Sequence, residues 1–142
     1  MADVHVTIDG REVAVPANST VLDAAEAAGV HIATLCHHPA VDPIGACRVC
    51  LVEIEKQRVL QPACTFPVSE GMVVHTDSEA VRNSRRFVLQ LLFSERNHFC
   101  MFCQMSGSCE LQDLAYQNGL DHWEFDRAFN PFAVDASRKF FA

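Results

Sequence analysis

Residues 35–65 read LCHHPAVDPIGACRVCLVEIEKQRVLQPACT, and within them Cys36, Cys47, Cys50 and Cys64 stand at the spacing C-x10-C-x2-C-x13-C. Thiolates so arranged read as a metal site. Cys47 and Cys50 form a short chelate whose sulfurs can sit close together, while Cys36 and Cys64 come from separate loops. A mixed local and distant set suits a [2Fe-2S] rhombus. The long loop carries Pro39, Pro43 and Gly45, so it can wrap a cluster with backbone amides pointing inward and small residues allowing close approach. Structural zinc is the competing reading, since four thiolates satisfy it equally well, although typical zinc sites use two short knuckles where this set has one. His37 and His38 raise the alternative of two imidazoles replacing two thiolates on one iron. That needs a second Cys-His group, which Cys64-Thr-Phe-Pro lacks, so both histidines are read as exposed loop residues.

The chain has 142 residues, 49% apolar and 20% charged, which is enough for one modest core plus a small appendage and is not the composition of a disordered chain. A net charge of -7 excludes a nucleic-acid footprint. The clustered Arg82, Arg85 and Arg86 are read as decoration on a helix. MADVHVTIDG begins directly with strand-like alternation, so no signal peptide is expected, and no apolar run approaches membrane-spanning length. An odd count of seven cysteines with no secretory segment disfavours disulfides and points to the cytoplasm.

Val4 to Ile8 and Val13 to Val15 alternate around Asp9-Gly10, a dipeptide suited to a tight hairpin turn. Asn18 or Ser19 is the expected cap of a helix from Val21 to Gly29, with Val21, Leu22, Ala25 and Ala28 on its packed face. Arg48 to Lys56 alternates as a strand, Arg58 to Ala63 returns beside it through a turn at Lys56-Gln57, and Met72 to Thr76 closes the set. That order predicts an α+β fold, with an N-terminal β-grasp domain over residues 1–77 in which one helix crosses a mixed sheet.

After Asp77 the period becomes helical. Glu79 to Glu95 carries Val81, Phe87, Val88, Leu91 and Leu92 close to a stripe. Glu110 to Asn118 predicts a further helix with Leu111, Leu114 and Ala115 on one side and Gly119 as its stop. Between them, His98-Phe-Cys100-Met-Phe-Cys103-Gln-Met-Ser-Gly-Ser-Cys109 gives C-x2-C-x5-C with a histidine just upstream. Three thiolates and one imidazole can serve the four irons of a cubane, and Gly107 supplies the bend that returns Cys109. The competing readings are a His98 that only hydrogen-bonds backbone at a helix end, and zinc held by the same side chains. Residues 78–120 are thus expected to be a small helical domain whose ligand set suits a [4Fe-4S] cluster, and 121–142 an aromatic tail, with Trp123, Phe125, Phe129, Phe132, Phe140 and Phe141, that either makes a subunit contact or packs back over the second unit. No phosphate-cradling glycine motif or nucleophile elbow is present in the sequence.

Taken together, TLCHHPAVDPIGACRVCLVEIE, LQPACTFPVSEGMVVHT, LLFSERNHFCMFCQMSGSCELQDLAY and GLDHWEF resemble the small iron-sulfur (diaphorase) subunit of NAD-reducing [NiFe] hydrogenases. The same module begins the large iron-sulfur subunit of respiratory complex I, NAD-dependent formate dehydrogenases and many iron-only hydrogenases. The resemblance implies that Cys36, Cys47, Cys50 and Cys64 hold a [2Fe-2S] cluster in a β-grasp ferredoxin domain. It also implies that His98, Cys100, Cys103 and Cys109 hold a [4Fe-4S] cluster. The widespread family pattern is H-x3-C-x2-C-x5-C. Here Arg96 occupies the histidine position, an always-charged side chain that cannot ligate iron, and His98 stands at H-x-C instead. Longer relatives continue into a two-cluster ferredoxin domain whose cysteines this sequence lacks.

The expected function is that of an electron-transfer subunit, itself without bond chemistry, in a multi-subunit NAD(H)-linked oxidoreductase. Its expected partners are a flavin- and NAD(H)-binding subunit and a further iron-sulfur or catalytic subunit, with no direct membrane span. The rival classes are a stand-alone soluble ferredoxin shuttle, which would run as a monomer, and a zinc-binding interaction module, which would be colourless.

Overall fold

The computed structural model of the chain describes residues 3–95, 98 and 100–121, so the aromatic tail expected over 121–142 lies outside the described residues apart from Asp121. Two compact units are present, residues 1–88 and 89–142.

The first unit is a five-stranded mixed sheet crossed by one helix. Strands β1 (Asp3–Ile8) and β2 (Arg11–Pro16) pair antiparallel. Asp9 and Gly10, with φ of 47° and 81°, form the expected turn, in which two left-handed residues match the twist of the flanking strands. Helix α1 (Val21–Ala27), β3 (Leu51–Ile54), β4 (Gln61–Pro62) and β5 (Met72–His75) follow. The sheet order is β2-β1-β5-β3-β4, with β1 and β5 parallel and the other neighbours antiparallel. Parallel pairing needs a long crossover. Here the crossover contains α1 and the whole cysteine loop, so the functional segment is part of the connection that closes the sheet.

Val6, Ile8, Val15, Val52, Ile54, Met72 and Val74 turn inward from the strands onto Val21, Leu22, Ala24 and Ala25 of α1. Ala28, expected on that helical face, is only partly buried. The hairpin turn is also tied to the last strand. Thr76 donates its N–H and hydroxyl to the Asp9 carboxylate at 2.8 and 2.5 Å, and the Asp9 N–H donates to the Val74 carbonyl at 2.9 Å.

Several boundaries depart from the sequence-based expectation. The cap of α1 is Thr20, not Asn18 or Ser19. Thr20 accepts from the Asp23 N–H at 3.2 Å, and its own N–H donates to Asp23 Oδ2 at 2.7 Å. Asn18, Ser19 and Thr20 are all good cap residue types, and the reciprocal partner three positions on selects Thr20, which was not among those expected. The tight turn after β3 centres on Glu55-Lys56, one residue earlier than expected, and Lys56 takes its left-handed position with φ 69°. Strand β4 is only Gln61–Pro62 instead of Arg58 to Ala63. Pro62 has no N–H to extend a ladder and sits on the edge strand, where that is tolerated.

Helix α2 (Glu79–Glu95) has the expected length, but its buried residues are Val81, Leu89, Gln90 and Phe93, while Phe87 and Leu91 are exposed. Arg85 stands in the row between Val81 and Leu89, four residues from each, so the stripe includes a charged residue that an apolar pattern skips.

In the second unit, a 3-10 turn (Cys100–Phe102) precedes helix α3 (Glu110–Gln117). Gln112, Leu114 and Ala115 are buried on α3, with Leu120 beyond it, whereas Leu111 is only half-buried. Gly119, φ 66°, ends α3 as expected, and the Leu120 N–H returns to the Ala115 carbonyl at 2.9 Å. Among the described residues no helix is long and apolar enough to cross a membrane.

Candidate iron-sulfur sites

Three separate devices bring the segments of Cys36, Cys47, Cys50 and Cys64 near one another. The first is strand pairing. Leu51 lies opposite Pro62 in the β3-β4 ladder, and the ladder continues one step as the Ala63 N–H donates to the Cys50 carbonyl at 3.0 Å. This places Cys50 beside Cys64, and their sulfurs lie 3.5 Å apart. The second is the N-terminus of α1, whose unpaired N–H groups find partners around Cys64. Val21 donates to the Phe66 carbonyl at 2.9 Å and Leu22 to the Ala63 carbonyl at 3.0 Å. The third is the Gly45 bend. A Cβ there would stand 3.2 Å from Thr65 Cγ2 and Oγ1, and Gly45 holds a left-handed φ of 62°, so glycine lets the long loop approach the Cys64 segment without crowding or backbone strain.

The remaining sulfur, that of Cys36, receives the Cys47 N–H at 3.4 Å. Close contacts therefore join Cys47 to Cys36, through the Cys47 N–H, and Cys50 to Cys64, through their sulfurs. A two-iron group takes one pair of thiolates per iron. Two thiolates bound about 2.3 Å from one tetrahedral metal stand about 3.8 Å apart, close to the Cys50-Cys64 separation and far from the ~2.05 Å of a disulfide.

Electrostatics agree with a site built for a cation-bearing group. At Cys36, burial opposes ionisation, but hydrogen bonds from the Cys47 backbone and thiol and from the Ala46 and Cys36 backbone outweigh it and hold the pKa below the usual thiol value. Cys64 is pushed up to about 12 by burial, by its hydrogen bond with Cys50, and by repulsion from Cys50, Cys36 and Cys47. Four neighbouring thiolates would repel one another unless metal cations offset the charge, which iron held by Cys36, Cys47, Cys50 and Cys64 would do. The residues present fit the group. His38 is exposed as expected, with Nδ1 accepting from the Ala40 N–H at 3.1 Å. His37 is not: it is half-buried, with a buried and unpartnered Nδ1.

The sequence reading missed Arg85, which it placed on the helix surface with Arg82 and Arg86. Arg82 is exposed and pairs with Asp77 at 3.1 Å. Arg85 is half-buried and reaches two carbonyls, Val49 through Nε and Thr76 through Nη2, each at 3.3 Å. The signal was its helical register with Val81, four residues back.

In the second unit, the loop between Cys103 and Cys109 is shaped by Gln112. Its Oε1 accepts from the Gly107 N–H at 3.0 Å, and its Nε2 donates to Tyr116 Oη at 3.2 Å and Ser106 Oγ at 3.5 Å. Gly107 has the expected left-handed φ, 85°. Cys109 stands at the N-cap of α3 in extended conformation without a side-chain cap bond, so its thiol is not used by the helix. Cys103 is exposed and Cys100 half-buried, and the Cys103 N–H donates to the Cys100 carbonyl at 3.3 Å. His98 packs edge-on against Phe93, with ring centroids 5.0 Å apart, and its Nε2 lies 3.3 Å from the Leu92 carbonyl. A backbone contact through one ring nitrogen is how a ligating histidine is commonly oriented, with the other nitrogen left for the metal. Sulfur contacts of the kind seen in the first unit are not made among Cys100, Cys103 and Cys109 in the described residues.

Residues 1–79 match the family described as 2Fe-2S iron-sulfur cluster binding domain, and residues 85–123 match the NADH-ubiquinone oxidoreductase-G iron-sulfur binding region. The chain is 39% identical over 135 residues to the mitochondrial NADH-ubiquinone oxidoreductase 78 kDa subunit of Candida albicans, covering 95% of this chain and 19% of that protein. It is 43% identical over 131 residues to the NADP-reducing hydrogenase subunit HndD of Solidesulfovibrio fructosivorans, covering 89% of this chain and 22% of that one. A crystal structure of an NAD+-reducing [NiFe]-hydrogenase in the H2-reduced state superposes with a TM-score of 0.85 at 40% identity, over 94% of this chain and 56% of that chain. This chain therefore spans only part of each of these relatives.

Proposed function

We propose, from the premise that this chain belongs to the family of 2Fe-2S iron-sulfur cluster binding domains, that it relays single electrons within a multi-subunit NAD(H)-linked oxidoreductase. Cys36, Cys47, Cys50 and Cys64 hold a [2Fe-2S] cluster, and His98, Cys100, Cys103 and Cys109 hold a [4Fe-4S] cluster. The clusters, when bound, supply one-electron chemistry. The protein's part is to set ligand type, spacing and local polarity, which tune potential over several hundred millivolts. Residues 1–77 and 78–120 form the two cluster domains, and residues 121–142 make a subunit contact. The partners are a flavin- and NAD(H)-binding subunit on one side and a further iron-sulfur or catalytic subunit on the other, in the cytoplasm.

The observation that carries this reading is the pairing of the first four cysteines, with Cys50 and Cys64 sulfurs 3.5 Å apart and the Cys47 N–H directed at Cys36. The test is EPR and iron analysis of the reduced full chain, together with the identity of chains that co-purify with it. Two distinct reduced-state signals, and a flavoprotein in the complex, are expected. A colourless zinc protein would end the electron-transfer reading, and a brown protein that runs as a monomer would replace the subunit with a shuttle.

A further inference from the structure

We infer that Arg85 is a fixed cation that raises the reduction potential of the [2Fe-2S] site by its charge and by holding the peptide that leads into Cys50. This rests on the reading that Cys36, Cys47, Cys50 and Cys64 bind that cluster.

Three observations support it. First, the guanidinium is held from two directions. Nε donates to the Val49 carbonyl and Nη2 to the Thr76 carbonyl, each at 3.3 Å. Val49 is fully buried and Cys50 is 2% exposed, so the charge is fixed against the interior side of the cysteine loop. Thr76 is itself anchored to the Asp9 carboxylate by its N–H and hydroxyl, which makes the second hold rigid.

Second, the charge is not neutralised locally. Both of the hydrogen-bond partners of Arg85 are neutral carbonyls, and among the described residues it forms no ion pair. Asp77, the nearby carboxylate, is exposed and engaged by Arg82 at 3.1 Å. Burial draws the Arg85 pKa down while Asp77 and Cys50 draw it back up. An arginine starts so far above neutral pH that it remains charged.

Third, the Val49 carbonyl and the Cys50 N–H belong to one planar peptide. An arginine that fixes the carbonyl fixes the direction of that N–H, and the bond to a charged donor polarises the peptide. One-electron reduction adds a negative charge to the cluster, and a nearby cation in a half-buried position stabilises that added charge with little screening.

The test is an EPR-monitored redox titration of the full chain and of Arg85→Gln, Arg85→Lys and Arg82→Gln, with iron content and optical spectra measured on each. Arg85→Gln is expected to lower the reduced-to-oxidised ratio at a fixed poise on the order of tenfold, about 59 mV in a one-electron couple. Arg85→Lys keeps the charge and is expected to show less than half that shift. Arg82→Gln removes the same formal charge from the exposed face of the helix and is expected to stay near wild type. An Arg85→Gln variant that is fully loaded at the wild-type midpoint overturns the inference. So does an Arg85→Lys variant as low as Arg85→Gln. If Arg85→Gln does not retain the cluster, Arg85→Lys decides: retention near the wild-type midpoint supports the charge, and loss in both identifies only a structural clamp and overturns it. Absence of any [2Fe-2S] signal in the wild-type chain would instead defeat the cluster assignment itself, a separate outcome.

Discussion

Gly45 stands against Thr65 so closely that a Cβ at Gly45 would meet both Thr65 Cγ2 and Oγ1 at 3.2 Å, and Gly45 holds a left-handed φ of 62°. These two constraints, steric and conformational, bring the loop that carries Cys36 and Cys47 onto the segment that carries Cys64. Gly45→Ala is expected to destabilise the first unit by about 1–2 kcal/mol from the backbone alone, with a further cost from the contact. Thr65→Ala in the same chain should recover the contact part and leave the backbone part. Denaturant unfolding of the single and double variants measures the split. A Gly45→Ala chain as stable as wild type would show that the loop does not need this approach.

The capping box of α1 has a consequence outside the helix. Thr20 and Asp23 satisfy each other's N–H groups, while the N–H groups of Val21 and Leu22 hold the Phe66 and Ala63 carbonyls on either side of Cys64. Thr20→Ala should cost about 1 kcal/mol, seen as a lower melting temperature. It should also speed iron loss to a chelator, because the helix end that anchors the Cys64 segment is loosened. Thr20→Ser is the control and should restore both. A melting temperature lowered without any change in chelation rate would separate helix stability from the site.

Much of this was legible in sequence where the determinants are local. Asp9-Gly10 marked the hairpin because its two residues must both take positive φ. Gly107 and Gly119 marked bends and stops for the same reason. The contact between Cys50 and Cys64 was not legible, because it depends on the β3-β4 register that sets Cys50 beside Ala63 and Cys64. Arg85 was missed for a related reason. Its partners Val49 and Thr76 are 36 and 9 residues away, and a charged residue on a helix is usually solvated. Thr20 was one of three adjacent good caps, separable only through its partner Asp23.

The sulfur contacts sort the first four ligands into Cys36 with Cys47 and Cys50 with Cys64. Serine variants should therefore fall into two spectroscopic classes. Cys50→Ser and Cys64→Ser should perturb the same iron in the Mössbauer spectrum of the reduced chain, and Cys36→Ser and Cys47→Ser the other. The structure also gives an asymmetry within the result. Cys50 and Cys64 are almost fully buried, at 2% and 1% exposure, whereas Cys36 and Cys47 are half-buried. Serine at the buried pair should lower cluster retention more. Classes that pair Cys47 with Cys50 would refute the assignment.

His98 places one ring nitrogen, Nε2, 3.3 Å from the Leu92 carbonyl and lays its ring edge-on against Phe93. If Nε2 carries the proton and donates to that carbonyl, Nδ1 is left as the lone-pair nitrogen, so iron is expected to bind through Nδ1. His98→Ala should remove one of four ligands and make the [4Fe-4S] cluster lose iron readily, with the [2Fe-2S] signal intact. His98→Cys should retain more iron where its thiolate reaches, but at a lower potential, because a thiolate adds a negative charge that neutral imidazole does not. Labelling with 15N at histidine and measuring the hyperfine coupling in the reduced state identifies the bound nitrogen directly. Coupling to Nδ1 together with iron loss in His98→Ala is the expected result. Wild-type iron content and potential in both variants would show that His98 serves only to bond backbone at the end of α2.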